Sequence, residues 1–318
     1  MTSRAIGRLP ETDAAIAPDE SAPDLAGARS LTVAQSRWPA IIGGLLTLAM
    51  VGGLVHQLWG KGIADLTGAV PTAPAFYLVF AALYMTPPVF DWLIFRRLWR
   101  LPVGGIVPLL KKRIANDVLL GYSGEAYFYT WARANARTVA APFGAVKDVS
   151  IQSALAGHAM TLLLIALALP FGRGLLTPDR YHAVVLAGVV AVAMSLPFLF
   201  FSRRVFSLPR AELWRMFALH CGRIVVGWAL IALAWHLALP AIGLAMWLLL
   251  VAVRQLVSRL PFIPNKDLLF VNLAIPLIGR DHAVVTLMAF TAAATLLIHG
   301  VLIAAFSLWH VAVVRRTA

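Results

Sequence analysis

The sequence predicts an all-α fold, a polytopic transmembrane helix bundle with re-entrant or broken helices. Of its 318 residues, 60% are hydrophobic and only 13% are charged, whereas about a quarter of the residues in a soluble domain are charged. Apolar stretches long enough for the roughly 20 residues that cross a bilayer recur along the chain. Other apolar stretches are shorter and contain glycine or proline, as is typical of helices that enter a membrane without crossing it. These features exclude a water-soluble fold.

The charged residues are unevenly distributed along the chain. Residues 1–37 hold four arginines and five acidic residues, so the formal net charge of +13 comes entirely from residues 38–318. The first segment is rich in alanine, proline and acids and lacks the features of a signal peptide, which predicts a disordered cytoplasmic tail. We expect the transmembrane domain to occupy residues 38–318. Its basic loops indicate contact with anionic lipid headgroups and not with nucleic acid.

The candidate spans follow one another from residue 38 onward. Residues 38–59 have a tryptophan at each end, as interface anchors do, and would act as the uncleaved insertion signal. Residues 72–95 contain the pair Pro87-Pro88, which should kink or break the helix. The remaining candidates are 151–171, 181–201, 216–239, 241–253 (with 262 as an alternative end) and 282–314.

The loops between these spans set the predicted topology. Basic loops alternate with nearly neutral ones, which places both termini in the cytoplasm and makes the number of crossings even. We predict eight membrane-inserted segments of which at least one is a half-helix, with six full spans as the alternative. The expected location is a bacterial-type inner (plasma) membrane.

The stretch NDVLLGYSGEAYFYTWAR, residues 116–133, is the first unusual feature. It contains Glu125, and no other glutamate occurs between residues 20 and 212. Glycines at 121 and 124 allow a tight turn, so that Ser123 could cap a helix that starts near Glu125. One interpretation is a loop-to-helix junction in which Glu125 interacts with the helix dipole.

A functional interpretation of the same stretch is a re-entrant element that opens a cavity for a lipid headgroup. Tyr127 would belong to its aromatic wall. Glu125 would pair with one of the nearby cations, namely Lys111, Lys112, Arg113 or Arg133.

The stretch RLPFIPNKD, from Arg259 to Asp267, is the second unusual feature. Two prolines three residues apart precede Asn265 and Lys266, which predicts a helix break on the cytoplasmic side. The break is either a rigid turn between spans or the broken helix of a transporter, whose freed backbone groups face a polar ligand.

Single polar residues near span ends have two interpretations each. Asp91 is expected to pair with Arg96 and Arg97 at the cytoplasmic end of its span. Arg223 would either extend to the membrane interface or bind a phosphate inside the bundle. His158 would be either a hydrogen-bonded interior residue or a proton relay. The candidate substrate-binding residues are Ser123, Glu125, Tyr127, Arg133, Arg223, Pro264, Asn265 and Lys266.

No catalytic or cofactor motif is recognisable in the sequence. HExxH, Walker, GxSxG and dinucleotide-binding patterns do not occur. With Cys221 as its single cysteine, the chain cannot form a cysteine-based metal site of its own. We therefore expect no metal or cofactor, and a protein that is more readily explained as a non-enzyme.

The two unusual stretches, with AVKDVSIQSAL between them, resemble the membrane region of lysylphosphatidylglycerol synthases and of related stand-alone flippase-like proteins. That family has a Gly-x-Gly-Glu-like re-entrant element, a charged pair at the start of the next span and a Pro-Gly-Gly turn near the end. The corresponding segments of this chain are residues 116–133, Lys147-Asp148 and Pro261 to Asp267. The resemblance covers about residues 40–314. The resemblance implies lipid translocation with Glu125 in the polar groove. It does not imply lysine transfer, since no aminoacyl-transferase domain is expected after the last span.

Three functions follow as hypotheses. The first is a translocator of a lipid or lipid-linked headgroup, recruited by the basic cytoplasmic face. The second is a membrane enzyme, or an enzyme subunit, of envelope-lipid biosynthesis with Glu125 or His158 as the acid–base group. The third is a non-catalytic scaffold. The expected partners are membrane lipids with anionic headgroups and, for the last two hypotheses, a lipid-synthesis enzyme.

Overall fold

The computed structural model describes residues 70–119, 123–135, 142–175, 206–260, 263–278 and 282–317, together with 177–179 and isolated positions between 181 and 193. Within these ranges the regular secondary structure is helical and no β-strand occurs, which confirms the predicted all-α fold. The predicted tail (1–37) and first span (38–59) lie outside the described residues, as does most of the predicted span 181–201.

The helices are numbered here in chain order. They are α1 (Pro74–Trp99), α2 (Ile106–Val118), α3 (Ser123–Asn135), α4 (Pro142–Leu175), α5 (Arg210–Ala238), α6 (Leu244–Ser258), α7 (Lys266–Ile278) and α8 (His282–Thr317), with a 3-10 turn at Val103–Gly105 before α2.

Four of these helices are long and apolar enough to cross a membrane. They are α1, α5, the part Phe143–Leu167 of α4 and the part Ala283–Trp309 of α8. Helix α6 has 15 residues, whereas a crossing requires about 20. The predicted span at 241–253 is therefore too short in the structure. Four candidate spans in the described part of the chain identify a multi-pass membrane protein.

The same order of elements occurs twice in the described chain. A long helix, a pair of short helices and a second long helix form the segment α1 to α4, and the order repeats from α5 to α8. Within each segment, consecutive helices pack against each other. Helices α1 and α5 pack side by side, and α4 packs against both α5 and α6, so the two segments form one bundle. The short helices, of 13 to 15 residues, are about 20 Å long at 1.5 Å per residue and do not span a bilayer of about 30 Å.

Helix α1 continues through Pro87 and Pro88, although the sequence predicted a kink or a break there. A proline at position 88 has no N–H to donate to the carbonyl of Tyr84, four residues earlier. The Arg113 guanidinium of α2 donates a hydrogen bond to that carbonyl instead. A neighbouring helix thus satisfies the freed backbone group, and the helix is maintained.

The first short pair, α2 and α3, contains most of the unusual stretch 116–133: α2 ends at Val118 and α3 begins at Ser123. Ser123 is the first residue of α3, and its hydroxyl donates to the Ala115 carbonyl oxygen at 2.7 Å. Ser123 thus lies inside the helix and its hydroxyl connects α3 to α2, whereas the predicted cap of a helix starting near Glu125 stays a prediction. A Cβ atom at Gly124 would collide with the backbone oxygen of Lys112. Glycine is required there because the two helices cross in direct backbone contact.

The second short pair, α6 and α7, contains the helix break predicted between Arg259 and Asp267. Helix α6 ends at Ser258 and α7 begins at Lys266. Asn265 is buried and has a left-handed backbone with φ of 45°. Its carbonyl oxygen accepts hydrogen bonds from the backbone of Leu268 and Leu269, in the first turn of α7.

Two aromatic-rich cores hold the bundle together. In the first, the buried Trp235 of α5 packs against Trp247 of α6 and Phe270 of α7. In the second, Phe128 of α3 is fully buried and packs against Phe95 of α1 and Trp131. Each core thus includes one pair of short helices, which positions both pairs by the burial of large apolar side chains.

Candidate functional site

A polar cavity of about 390 Å³ lies inside the bundle. Side chains from all eight helices line it, and the two breaks in the short-helix pairs meet beside it. The backbone N–H of Asn265, before α7, donates to the backbone oxygen of Asp117, near the end of α2, at 2.6 Å. The volume is within the usual range of ligand sites, about 300–1,000 Å³.

The cavity is lined by ten residues with formally charged side chains, an unusual number for the interior of a membrane protein. Six are cations and four are acids, so the described lining has a formal excess of two positive charges. The cations are Lys112, Arg113, Arg223, Arg254, Arg259 and Lys266, and the acids are Asp91, Asp117, Glu125 and Asp267.

Asp91 is the centre of the first charged group in the cavity. Its carboxylate accepts from Lys112 Nζ at 2.7 Å and from Arg223 Nη1 at 3.0 Å. Glu125 lies on the other side of Lys112, with Oε1 at 3.5 Å from Nζ. Burial alone would lower the pKa of Lys112, but Asp91 and Glu125 outweigh it and raise the pKa above its ordinary value. Lys112 therefore stays charged inside the protein.

The predicted pairing of Asp91 with Arg96 and Arg97 is wrong. The Arg97 guanidinium forms an exposed ion pair with Glu212 of α5 at 3.1 Å, and Asp91 faces the interior. The bundle turns Asp91 toward the cavity because α5 packs along α1 and supplies Arg223.

Of the two interpretations of Arg223, the structure agrees with a position inside the bundle. Its guanidinium donates to Asp91 and, at 2.8 Å, to the Ser153 hydroxyl of α4, and it lines the cavity. The position inside the bundle agrees with the alternative placement, while binding of a phosphate by Arg223 stays a prediction.

A second charged group lies beside Tyr84 of α1. The Arg113 guanidinium lies 4.0 Å from the centre of the Tyr84 ring, and Arg113 Nε is 3.4 Å from Asp117 Oδ2. His299 of α8 is 2% exposed, with Nε2 at 3.5 Å from the same carboxylate oxygen. This group connects the first short pair to α8 and contains one cation for one acid.

The third charged group lies at the break between α6 and α7. Arg254 pairs with Asp267 at 2.8 Å. Ser258 connects the other two cations, since its hydroxyl accepts from Arg259 Nε at 3.0 Å and its carbonyl oxygen accepts from Lys266 Nζ at 2.8 Å. The third group thus has three cations and one acid.

Gly157 of α4 provides the space for one of these cations. A Cβ atom at this position would collide with the Arg259 guanidinium. The missing side chain lets the guanidinium pass close to the α4 backbone, so the sequence of α4 helps to position the charge at the break.

Lys266 has an unusual electrostatic environment. Burial and, to a smaller extent, the neighbouring Arg259 lower its pKa to about 8, although Asp117 and Glu125 act in the opposite direction. No carboxylate in the described part of the chain forms an ion pair with Lys266 Nζ. The charge of the Lys266 ammonium is therefore not neutralised by a contacting carboxylate among the described residues.

Several buried polar atoms of the cavity lining have no hydrogen-bond partner among the described residues. They include Glu125 Oε2, the Tyr84 hydroxyl and both ring nitrogens of His299. An unsatisfied buried polar group costs about 1–3 kcal/mol, and native proteins seldom retain one without a reason. Such atoms around one cavity are typical of a site for a polar ligand.

The structure brings together four of the eight candidate binding residues. Glu125, Arg223, Asn265 and Lys266 line the cavity. Four others are not part of the lining, and of these Arg133 is exposed near the end of α3. The four outside the lining are Ser123, Tyr127, Arg133 and Pro264.

Two residues of the cavity lining, Arg254 and His299, were not among the residues singled out from the sequence. Arg254 pairs across the helix break with Asp267, and His299 lies in the middle of the last apolar segment. An ionisable residue inside an apolar run is the signal that could have identified them, because such residues usually face a polar interior.

The charged pair of the resemblance, Lys147-Asp148, lies near the start of the candidate span in α4, as expected. Asp148, at the start of α4, is fully buried and accepts hydrogen bonds from the backbone of Ser207 and Leu208 at 2.7 and 2.8 Å. Lys147 donates to the Ser207 hydroxyl at 3.0 Å. This pair anchors the segment before α5 and does not line the cavity.

Comparisons of the chain with protein-family models, with curated proteins and with solved structures found no match.

Proposed function

We propose that this protein is a membrane translocator that moves the anionic headgroup of a lipid or lipid-linked molecule through the polar cavity. The observation that carries the proposal is the cavity lining, with six cations and four acids inside a bundle that has four candidate spans. Polar groups that cross a hydrocarbon layer without partners cost several kcal/mol each, roughly 2–7 by transfer measurements. A lining of charged and hydrogen-bonding groups lowers that cost, while the acyl chains remain in the bilayer.

The arrangement of the two short-helix pairs supports the same function. Non-spanning helices at membrane depth are stable only when they are buried in protein or line a wet cavity. The ends of α2 and α6 and the starts of α3 and α7 all contribute to the lining. Broken helices whose ends face a polar site are a recurring feature of transporters.

Glu125 is the residue whose change tests the site most sharply. Its carboxylate lies 3.5 Å from Lys112, and its second oxygen is buried and unpartnered among the described residues. Glu125→Gln keeps the shape of the side chain but removes the charge that offsets Lys112. We expect the variant to insert into the membrane normally and to lose transport.

The experiment compares the lipids of a strain that lacks the protein with those of the same strain after complementation. Total lipid is measured in one sample and outer-leaflet lipid, by a membrane-impermeant label, in another. Unchanged totals with one species missing from the outer leaflet would support translocation. Glu125→Gln should fail to restore that species, whereas Lys111→Gln should restore it, because the Lys111 ammonium lies over the Phe306 ring, outside the cavity.

The other two functions are distinct outcomes of this experiment. Loss of a species from the total extract would favour a biosynthetic enzyme or enzyme subunit. Of the two candidate acid–base groups, Glu125 lines the cavity and His158 does not, so Glu125 is the one to test for an enzyme. No change in either sample would favour a scaffold, as would stable co-purification with a lipid-synthesis enzyme. Placement in a bacterial-type inner membrane with both termini in the cytoplasm belongs to the same proposal.

A further inference from the structure

His299 of α8 is a titratable side chain of the cavity lining to which the proposed translocation assigns no role. It is 2% exposed, and both of its ring nitrogens lack a hydrogen-bond partner among the described residues. An imidazole in this condition is open to a proton at one nitrogen and to a ligand at the other. Buried polar side chains are seldom left unsatisfied, so we expect a partner here that is not one of the described residues.

Asp117 of α2 connects this imidazole to water. Its carboxylate oxygen Oδ2 lies 3.5 Å from His299 Nε2, and its side chain is 42% exposed. The carboxylate can therefore take a proton from water and pass it to the buried imidazole. In that step the O–H bond at Oδ2 breaks, a new N–H bond forms with the lone pair of Nε2, and the carboxylate is regenerated.

Protonation of His299 changes the charge balance of the second charged group. The charged and titratable groups that face the imidazole are Tyr84 of α1, Arg113 and Asp117 of α2, and Asp267 of α7. While the imidazole is neutral, the group has one cation, Arg113, for one acid, Asp117. The protonated imidazole is a second cation beside the same carboxylate oxygen. An anion in the cavity would compensate the added positive charge.

We infer that His299, supplied by Asp117, is a proton-binding site that couples binding of the anionic headgroup to the uptake of a proton. The inference rests on the proposed function and adds the ion that is bound together with the lipid. Binding free energies are linked reciprocally, so an anion that favours the bound proton is itself favoured by the proton. The site also adjoins both helix breaks, since the backbone oxygen of Asp117 accepts from the Asn265 N–H at 2.6 Å.

A second buried imidazole of the lining, His220 of α5, is less suited to this role. It is 1% exposed, and its charged neighbours are two cations, Lys112 and Arg223, and one acid, Asp91. Asp91 already accepts from both cations, and no carboxylate of the described residues forms an ion pair with His220. His220 therefore lacks the proton donor that Asp117 provides for His299.

Calorimetry in two buffers tests the coupling. Binding of dihexanoyl phosphatidylglycerol, a short-chain anionic lipid, to the full chain in detergent is measured at about pH 6.5, where an imidazole titrates. The two buffers have different heats of ionisation, so the difference between the two binding heats gives the number of protons taken up per lipid. Lys266 adds little to that number, because with a pKa of about 8 it is already protonated. We expect the native chain to take up about one proton per lipid.

Two variants locate the proton. His299→Gln removes the titratable nitrogen and should abolish most of the uptake, to less than about 0.2 proton per lipid. His236→Gln removes an exposed histidine of α5 that does not line the cavity, and it should leave the uptake unchanged.

Lipid binding without proton uptake by the native chain would overturn the inference, and this result does not depend on the folding of any variant. Unchanged uptake in His299→Gln would also overturn it. Both results leave the proposed function in place, because they concern the proton and not the lipid. A native chain that does not bind the anionic lipid would contradict the proposed function together with the inference.

Discussion

Asp91 is the residue whose removal should most strongly destabilise the fold. It is 6% exposed and carries two short ion pairs, to Lys112 on α2 and to Arg223 on α5. Asp91→Asn keeps the size of the side chain and removes the carboxylate that lies 2.7 Å from the buried Lys112 ammonium and 3.0 Å from the part-buried Arg223 guanidinium. Glu125 then remains as the single acid beside Lys112, at 3.5 Å. Breaking a buried ion pair by removing one partner costs about 3–5 kcal/mol, because the other charge stays buried.

The assay is thermal unfolding in detergent, followed by intrinsic tryptophan fluorescence. At about 2 °C per kcal/mol for a chain of this size, the expected loss is about 6–10 °C in Tm. Glu212→Gln is the matched control, because it removes an acid from the exposed ion pair with Arg97 and should shift Tm much less. A double variant, Asp91→Asn with Arg223→Gln, should recover part of the loss, since it also removes one uncompensated cation.

Equal and small shifts for Asp91→Asn and Glu212→Gln would refute the reasoning. That result would mean that the cations are not held by Asp91 in a water-poor interior. A double variant less stable than the sum of the single variants would contradict the charge balance of the first group.

Two further predictions concern the close helix contact and the charge of Lys266. Gly124→Ala should destabilise the fold by about 1–3 kcal/mol and so lower Tm, because the new Cβ atom collides with the Lys112 backbone oxygen. Gly104→Ala is the control and should leave Tm nearly unchanged, because a Cβ atom there meets nothing within 4 Å. Equal Tm shifts for the two variants would contradict the close contact between α2 and α3. The rate at which the chain exchanges an anionic lipid between leaflets should fall as the pH rises through about 8, because Lys266 then loses its proton. The fold itself gains stability as the pH rises from about 8, since the unfolded chain then binds more protons than the folded one. Lys266→Arg should abolish most of the pH dependence of exchange, since a guanidinium stays charged, and an unchanged profile in this variant would show that another group titrates.

The sequence predicted features that depend on local chemistry. Apolar length and composition identified the membrane helices, and the prolines before Asn265 predicted the break that separates α6 from α7. Glu125 drew attention as an isolated acid among apolar residues, and it lines the cavity. Each of these predictions depends on residues that are close in sequence to the feature that they predict.

Features that depend on distant residues were not predictable in this way. The partner of Asp91 on α5 is Arg223, 132 positions further along the chain, whereas the arginines at 96 and 97 were simply nearer in sequence. The continuity of α1 through its prolines depends on Arg113, which is 29 positions from the carbonyl that it satisfies. A prediction from sequence assigns each polar group a partner that is near it along the chain. In the folded bundle the actual partners come from helices that are distant in sequence.

The sequence predicted only some of the residues that line the cavity, because the lining residues come together through packing of helices that are distant in sequence. Each of its charged residues is separated from most of the others by an apolar helix in the sequence. The sequence suggested a local role for Ser123, as a helix cap, whereas the contact of its hydroxyl with α2 depends on the close crossing at Gly124. The site is a product of how eight helices pack, and only its most isolated members were visible beforehand.

Transport by the purified chain in vesicles tests the central claim most directly. The full chain is reconstituted into vesicles that carry a small fraction of a headgroup-labelled anionic lipid, and exchange between leaflets is followed by an impermeant quencher. We expect rapid exchange with the native chain and the background rate of protein-free vesicles with Glu125→Gln. Exchange at the background rate with the native chain, for every anionic lipid tested, would contradict the translocator function.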